Sequence, residues 1–184
     1  AEVINRSFGK AYSPHQKEVY EAFKYADENG VLLIHAAGND AKDIDIEPNY
    51  PTSMYSFQES PLDHFVTIGA STKNKGPEMV ASFSNFGAKG VDVFAPGFEI
   101  YNTVPQSEYM NLQGTSMAAP MVAGAAAMLK SYFPALSMKE IKEVMYNTST
   151  KYPKVEGFAD KSVTGGVVNL LKAAKACKKL AKKK

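Results

Sequence analysis

The sequence predicts an α/β fold, a mainly parallel sheet with helices on both faces. Three observations carry this. Short apolar runs alternate with amphipathic stretches of helical period, the pattern of strands joined by crossover helices. One run, Val31–Ile34, is apolar throughout, as in a strand buried on both faces. Across 184 residues, 45% are hydrophobic and 22% charged, with ten Tyr and ten Phe, enough for one sizeable core.

In chain order, Val3–Gly9 reads as a short strand ending at a glycine. The next helix has start signals in Ser13 as N-cap, Pro14 at the first helical position and Gln16 three residues beyond the cap. Its apolar stripe is Val19, Ala22, Phe23 and Ala26, and Asn29-Gly30 stops it. After the Val31–Ile34 strand, Gly38 to Asp63 turns polar, with three prolines and the acidic residues Asp40, Asp43, Asp45 and Glu47. A surface connection of that length in a compact domain is often functional. Phe65–Ile68 and Val91–Phe94 are the next strands. Met117–Leu129 is an apolar run of thirteen residues, interrupted by Pro120 and Gly124. It suits a core helix better than a membrane span of ~20 residues. Ser137–Glu140 is a capping box opening a helix that turns Ile141, Val144 and Met145 inward. Val168–Ala181 forms the last helix, with Leu170, Ala174, Cys177 and Leu180 on one stripe. The lysines at its end suit the negative pole of the helix dipole. The chain shows no internal repeat, low-complexity linker or second domain.

Composition excludes some functions. With 21 basic and 19 acidic residues, the net charge of +2 supplies no strong field for nucleic acid. A single cysteine excludes an internal disulfide framework and a cysteine-rich zinc site. The opening residues Ala1–Asn5 lack the basic and apolar regions of a targeting sequence, and read as if cut from something longer.

The stretch richest in chemistry is Gly114–Gly124, which sets Ser116 at the mouth of a helix built from small residues. A helix start leaves main-chain N–H groups unsatisfied and partly positive. A nucleophilic serine there has an oxyanion donor beside it. The plain alternative is a serine N-cap on a packed helix. The α/β-hydrolase elbow G-x-S-x-G does not fit, because Ala118 stands where its second glycine belongs.

The whole pattern Gly114-Thr115-Ser116-Met117-Ala118-Ala119-Pro120, with Val122-Ala123-Gly124 following, resembles the active-serine signature of subtilisin-like serine proteases (subtilases, peptidase family S8). Further segments are similar to that family in the right order: Val3–Gly9, Ala36–Asn39, Ser82–Gly87, Asp92–Gly97 and Gly166–Asn169. The resemblance covers nearly the whole chain. It implies a three-layer subtilisin-like fold, incomplete on its N-terminal side. Ser116 is then the nucleophile that forms an acyl-enzyme on a peptide carbonyl. Asn39 donates its side-chain N–H to the oxyanion beside the main-chain N–H of Ser116. Ser7, Phe8 and Gly9 offer main-chain groups to an extended protein or peptide substrate. Ala36, Ala37 and Gly38 line the pocket for the side chain before the scissile bond, and Tyr50-Pro51 matches a site that often holds a cis proline.

The family carries its triad aspartate in a D-[ST]-G strand and its histidine in H-G-T-H-V-A-G, and neither motif occurs here. Residues 1–184 therefore read as the C-terminal portion of a catalytic domain, and as nearly inactive alone. The three histidines read as poor substitutes: His35 as a strand residue, His15 and His64 as surface residues. Two alternatives stay open, a non-catalytic pseudoprotease or scaffold, and one half of a split enzyme. No cofactor is expected; calcium is a family possibility for the acidic loop, whose spacing matches no dedicated calcium motif. Self-association through surfaces uncovered by truncation, and an extracellular, periplasmic or cell-surface location, complete the expectations.

Overall fold

The computed structural model describes residues 1–183. Its main sheet runs through β1 (Val3–Arg6), β2 (Leu32–Ala36), β3 (Phe65–Ser71), β4 (Val93–Pro96), β7 (Thr150–Lys151) and β8 (Gly166–Val167) in the order β1-β2-β3-β4-β8-β7. All neighbours pair in parallel except β7, which runs antiparallel to β8. β5 (Ile100–Val104) and β6 (Glu108–Leu112) make a separate antiparallel hairpin.

Alternation along β2 divides the core, because successive side chains point to opposite faces. Leu32, Ile34 and Ala36 face α2 (Thr115–Tyr132), α3 (Met138–Thr148) and α4 (Leu170–Ala181), packing with Val122, Ile141 and Cys177. Leu33 faces the other way, with Phe65 and Leu62 against Phe23 of α1 (Gln16–Glu28). Helices thus cover both faces, as the sequence predicts.

Local signals explain most boundaries. Ser137 and Glu140 form the capping box of α3 in both directions. Asn169 caps α4 through the N–H of Lys172 at 3.0 Å. The start of α1 differs from expectation: Ser13 is buried and makes no cap bond, and the helix begins at Gln16 after His15. The chain between Ser13 and His15 is a turn, so the Ser13–Gln16 spacing spans the turn instead of the first helical residues.

Candidate active site

Tertiary pairing brings four segments to one end of the sheet: the continuation of β1 at Ser7–Lys10, the end of β2 at Ala36–Asp40, Asn49, and the start of α2. Together they line a cleft of about 530 Å³. All of the site residues read from sequence border it except Ala37, which is fully buried behind it.

Ser116 is the second residue of α2, behind Gly114 at the N-cap, so its role as the cap itself is excluded. Its Oγ donates to the carbonyl of Ser7 at 3.2 Å, and Ser7 Oγ donates to the Ser116 carbonyl at 3.0 Å. The Ser116 N–H has no acceptor among the described residues, as expected within the first turn of a helix.

Asn39 follows the end of β2 and is fixed by Thr115. Its Oδ1 accepts from the Thr115 N–H at 2.8 Å and from the Thr115 hydroxyl at 2.9 Å. The same hydroxyl accepts from the Gly38 N–H at 3.1 Å. With the carbonyl side of the amide committed, Nδ2 is left as a donor without a partner among the described residues. Gly114, at φ 149°, holds the turn, and a Cβ there would lie 3.3 Å from that Nδ2. Thr115 was not singled out from the sequence; its place between Gly114 and Ser116 is the available signal.

Asn85 is a second residue whose role sequence reading missed. Buried at 1% exposure, its Oδ1 accepts from the N–H groups of Asp40 and Lys42, each at 3.0 Å, and its Nδ2 donates to the Ala37 carbonyl at 2.9 Å. It shapes the loop that carries Asn39. On the opposite wall, Lys10 and Tyr50 exchange main-chain bonds at 3.0 and 2.9 Å, and the peptide bond from Tyr50 to Pro51 is cis. Gly9 lies against Asn49, whose Nδ2 would be 2.7 Å from a Cβ at that position. Phe8 stands out at 64% exposure.

The acidic loop is occupied with its own fold. Asp45 accepts from the N–H groups of Lys89 and Gly90, Asp43 accepts from the N–H of Asp45, and Glu47 pairs with Lys42 at 2.6 Å. Among the described residues no group of three or more His, Cys, Asp or Glu is arranged to hold a metal.

None of the three histidines bonds to Ser116. His15 is exposed beside Glu18 at 3.8 Å. His64, read as a surface residue, is instead largely covered and sits 3.2 Å from Asp27, a contact between distant segments. His35 is buried in β2, and its ring is pushed down to a pKa of about 3 by desolvation and then by the Arg6 charge. Arg6 itself lies 4.0 Å from the ring of Phe23 and 4.5 Å from that of Phe65. Its guanidinium is lowered to about 10 by burial.

Comparison with known proteins identifies the family. The model of the Subtilase family matches residues 1–166. The chain is 38% identical over 150 residues to Subtilisin BL of Lederbergia lenta, covering 80% of this chain and 49% of that protein. It is 35% identical over 150 residues to Subtilisin DY of Bacillus licheniformis, covering 81% and 50%. Subtilisin-like protease 2 of Plasmodium falciparum is 33% identical over 159 residues, 82% of this chain but 11% of that protein. Among solved structures, a chain from the subtilase cytotoxin SubAB assembly superposes with a TM-score of 0.81 at 26% identity, covering 97% of this chain and 59% of that one. A protease from Pseudoalteromonas arctica gives 0.77 at 28% identity, covering 96% and 51%. The chain spans about half the length of the subtilisins it matches. With the family model matched over nine-tenths of its residues and subtilisins sharing its sequence, this chain belongs to the subtilase family.

Proposed function

We propose that this chain is the nucleophile-bearing portion of a subtilisin-type serine endopeptidase, with its general base supplied by polypeptide beyond these residues. The observation that carries the reading is the pair of unpartnered donors, Asn39 Nδ2 and the Ser116 N–H, beside the Ser116 hydroxyl. An extended peptide lies along Ser7–Gly9. The side chain before its scissile bond enters the cleft bordered by Ala36 and Gly38 and backed by Ala37. Ser116 Oγ attacks the carbonyl carbon, its proton passes to the base, and the two donors meet the oxyanion. The amine leaves with that proton, and water hydrolyses the acyl ester to release the acid and restore the hydroxyl.

Without a base the serine hydroxyl is a weak nucleophile, so the chain alone is nearly inactive. Two uncovered surfaces suit the missing polypeptide. β1 is the terminal strand of the main sheet, with one unpaired edge. Beside it, Met121, Met128 and Tyr132 of α2 are exposed at 43%, 49% and 77%. The same surfaces favour self-association in the isolated chain. Export from the cytoplasm follows the family habit; no helix among the described residues is long and apolar enough to cross a membrane.

Mixing the chain with an upstream subtilase segment bearing the triad aspartate and histidine tests the reading. Peptidase activity that appears on mixing and vanishes in Ser116→Ala is expected. Binding of the two pieces without activity favours the scaffold alternative.

A further inference from the structure

Buried polar atoms of Arg6 and His35 lack a full set of hydrogen bonds among the described residues: the Arg6 guanidinium has no acceptor, and the His35 ring has only a contact with the Arg6 main chain. Such groups are costly unless something satisfies them. His35, 1% exposed, lines a small cavity of about 30 Å³ together with Asn49, Thr52 and Thr67. Asn49 and Pro48 also line the large cleft, so they form the partition between the two spaces. The amide of Asn49 spends its Nδ2 on the Ala37 carbonyl at 2.9 Å, and its Oδ1 has no donor among the described residues.

The chemistry of these groups selects their ligand. Burial and the Arg6 charge hold the His35 ring neutral. A neutral imidazole offers one N–H donor and one lone pair. A water in the cavity bonds one ring nitrogen in either tautomer and still has a hydrogen to donate to Asn49 Oδ1, whereas an anion has none to give. The volume suffices too, since a water needs roughly 10–15 Å³ of such space and two to four polar partners.

We infer that this cavity is a water site held by His35 and Asn49, and that the hydrated floor selects a substrate side chain ending in a hydrogen-bonding group. The selection rests on the cleft above being the seat of the residue before the scissile bond. A glutamine there meets Asn49 and the water behind it. A leucine of similar reach leaves Oδ1 dehydrated and unpaired, which is the expensive outcome for a polar group.

A high-resolution crystal structure of the chain, with NMR titration of two peptides differing only in a C-terminal Gln or Leu, tests both parts. Density within hydrogen-bond reach of a His35 ring nitrogen and Asn49 Oδ1 is expected. The Gln peptide should bind about fivefold more tightly than the Leu peptide, the worth of one net hydrogen bond. That ratio should fall towards one in His35→Phe, and in Asn49→Leu should the first variant fold poorly. A dry cavity overturns the water site. Leu binding as tightly as Gln overturns the selection. If neither peptide moves resonances of the cleft, the substrate reading of the cleft fails and the selection with it, while the density at His35 still decides the water site.

Discussion

Ser7 and Ser116 hold each other by two reciprocal hydrogen bonds, each from one residue's hydroxyl to the other's main-chain carbonyl, at 3.2 and 3.0 Å. The proposed nucleophile is therefore anchored at rest to a carbonyl of the segment proposed to receive substrate.

Because each bond uses a side chain on one partner and main chain on the other, deleting one hydroxyl leaves the opposite bond intact. Ser7→Ala and Ser116→Ala should each lose about 1 kcal/mol of stability. The double variant should lose their sum to within about 0.5 kcal/mol, although additivity usually fails for residues in contact. Urea unfolding of the three variants measures it. A double variant no worse than either single one contradicts the geometry.

Thr115 is expected to act through Asn39. Thr115→Val removes the hydroxyl that links the Gly38 N–H to Asn39 Oδ1, costing about 1–3 kcal/mol for the groups left unpaired. In an enzyme reconstituted with its base, kcat should fall with KM little changed, and Thr115→Ser should restore it. Asn39→Ala should lose more, near the roughly 10²–10³ that removing such a donor costs in a subtilisin. Equal effects on kcat and KM would instead mark Thr115 as a residue of substrate binding.

Glycine is required at the entrance to α2. Gly114→Ala would force a Cβ into a φ of 149° beside Asn39. Gly97→Ala would bring a Cβ to 2.8 Å from the Gly114 carbonyl and 2.7 Å from Ala70 Cβ. Each should cost about 1–3 kcal/mol, through strain in the first and overpacking in the second. Thermal unfolding checks both, and a stability unchanged by Gly97→Ala contradicts the close passage of β4 and α2.

The candidate-site end of the fold was legible because its residues fall in contiguous, chemically constrained stretches, Gly114–Gly124 and Ala36–Asn39. The β5–β6 hairpin escaped notice for a local reason. Its turn contains no glycine, and Gln106 and Ser107 take φ values of 68° and 61° themselves. The partnership of His64 with Asp27, the clamp made by Asn85 and the cluster around Arg6 depend on contacts between distant segments. No spacing along the chain encodes those.

His35 and Asp92 should pull stability in opposite directions with pH. The folded pKa of His35 is lowered to about 3, so the unfolded chain binds more protons and stability rises with pH from about 3 towards 6.5. Burial raises Asp92 to about 6, against the pull of the Thr67 N–H, so the folded chain binds more protons and stability falls between about 4 and 6. Asp92→Asn should therefore gain on the wild type as pH climbs through that window. His35→Phe should lose ground relative to it as pH climbs towards 6.5. Denaturation midpoints across pH 3–8 read both differences, and parallel curves contradict both assignments.

The most direct test is the rate at which a fluorophosphonate probe labels this chain alone, followed by intact mass beside Ser116→Ala. A nucleophile and oxyanion donors without a base predict labelling of the wild type no faster than of the variant on the timescale of an active serine protease. Rapid labelling that disappears in Ser116→Ala would contradict this account, and would mean that residues 1–184 or an assembly of them contain the base.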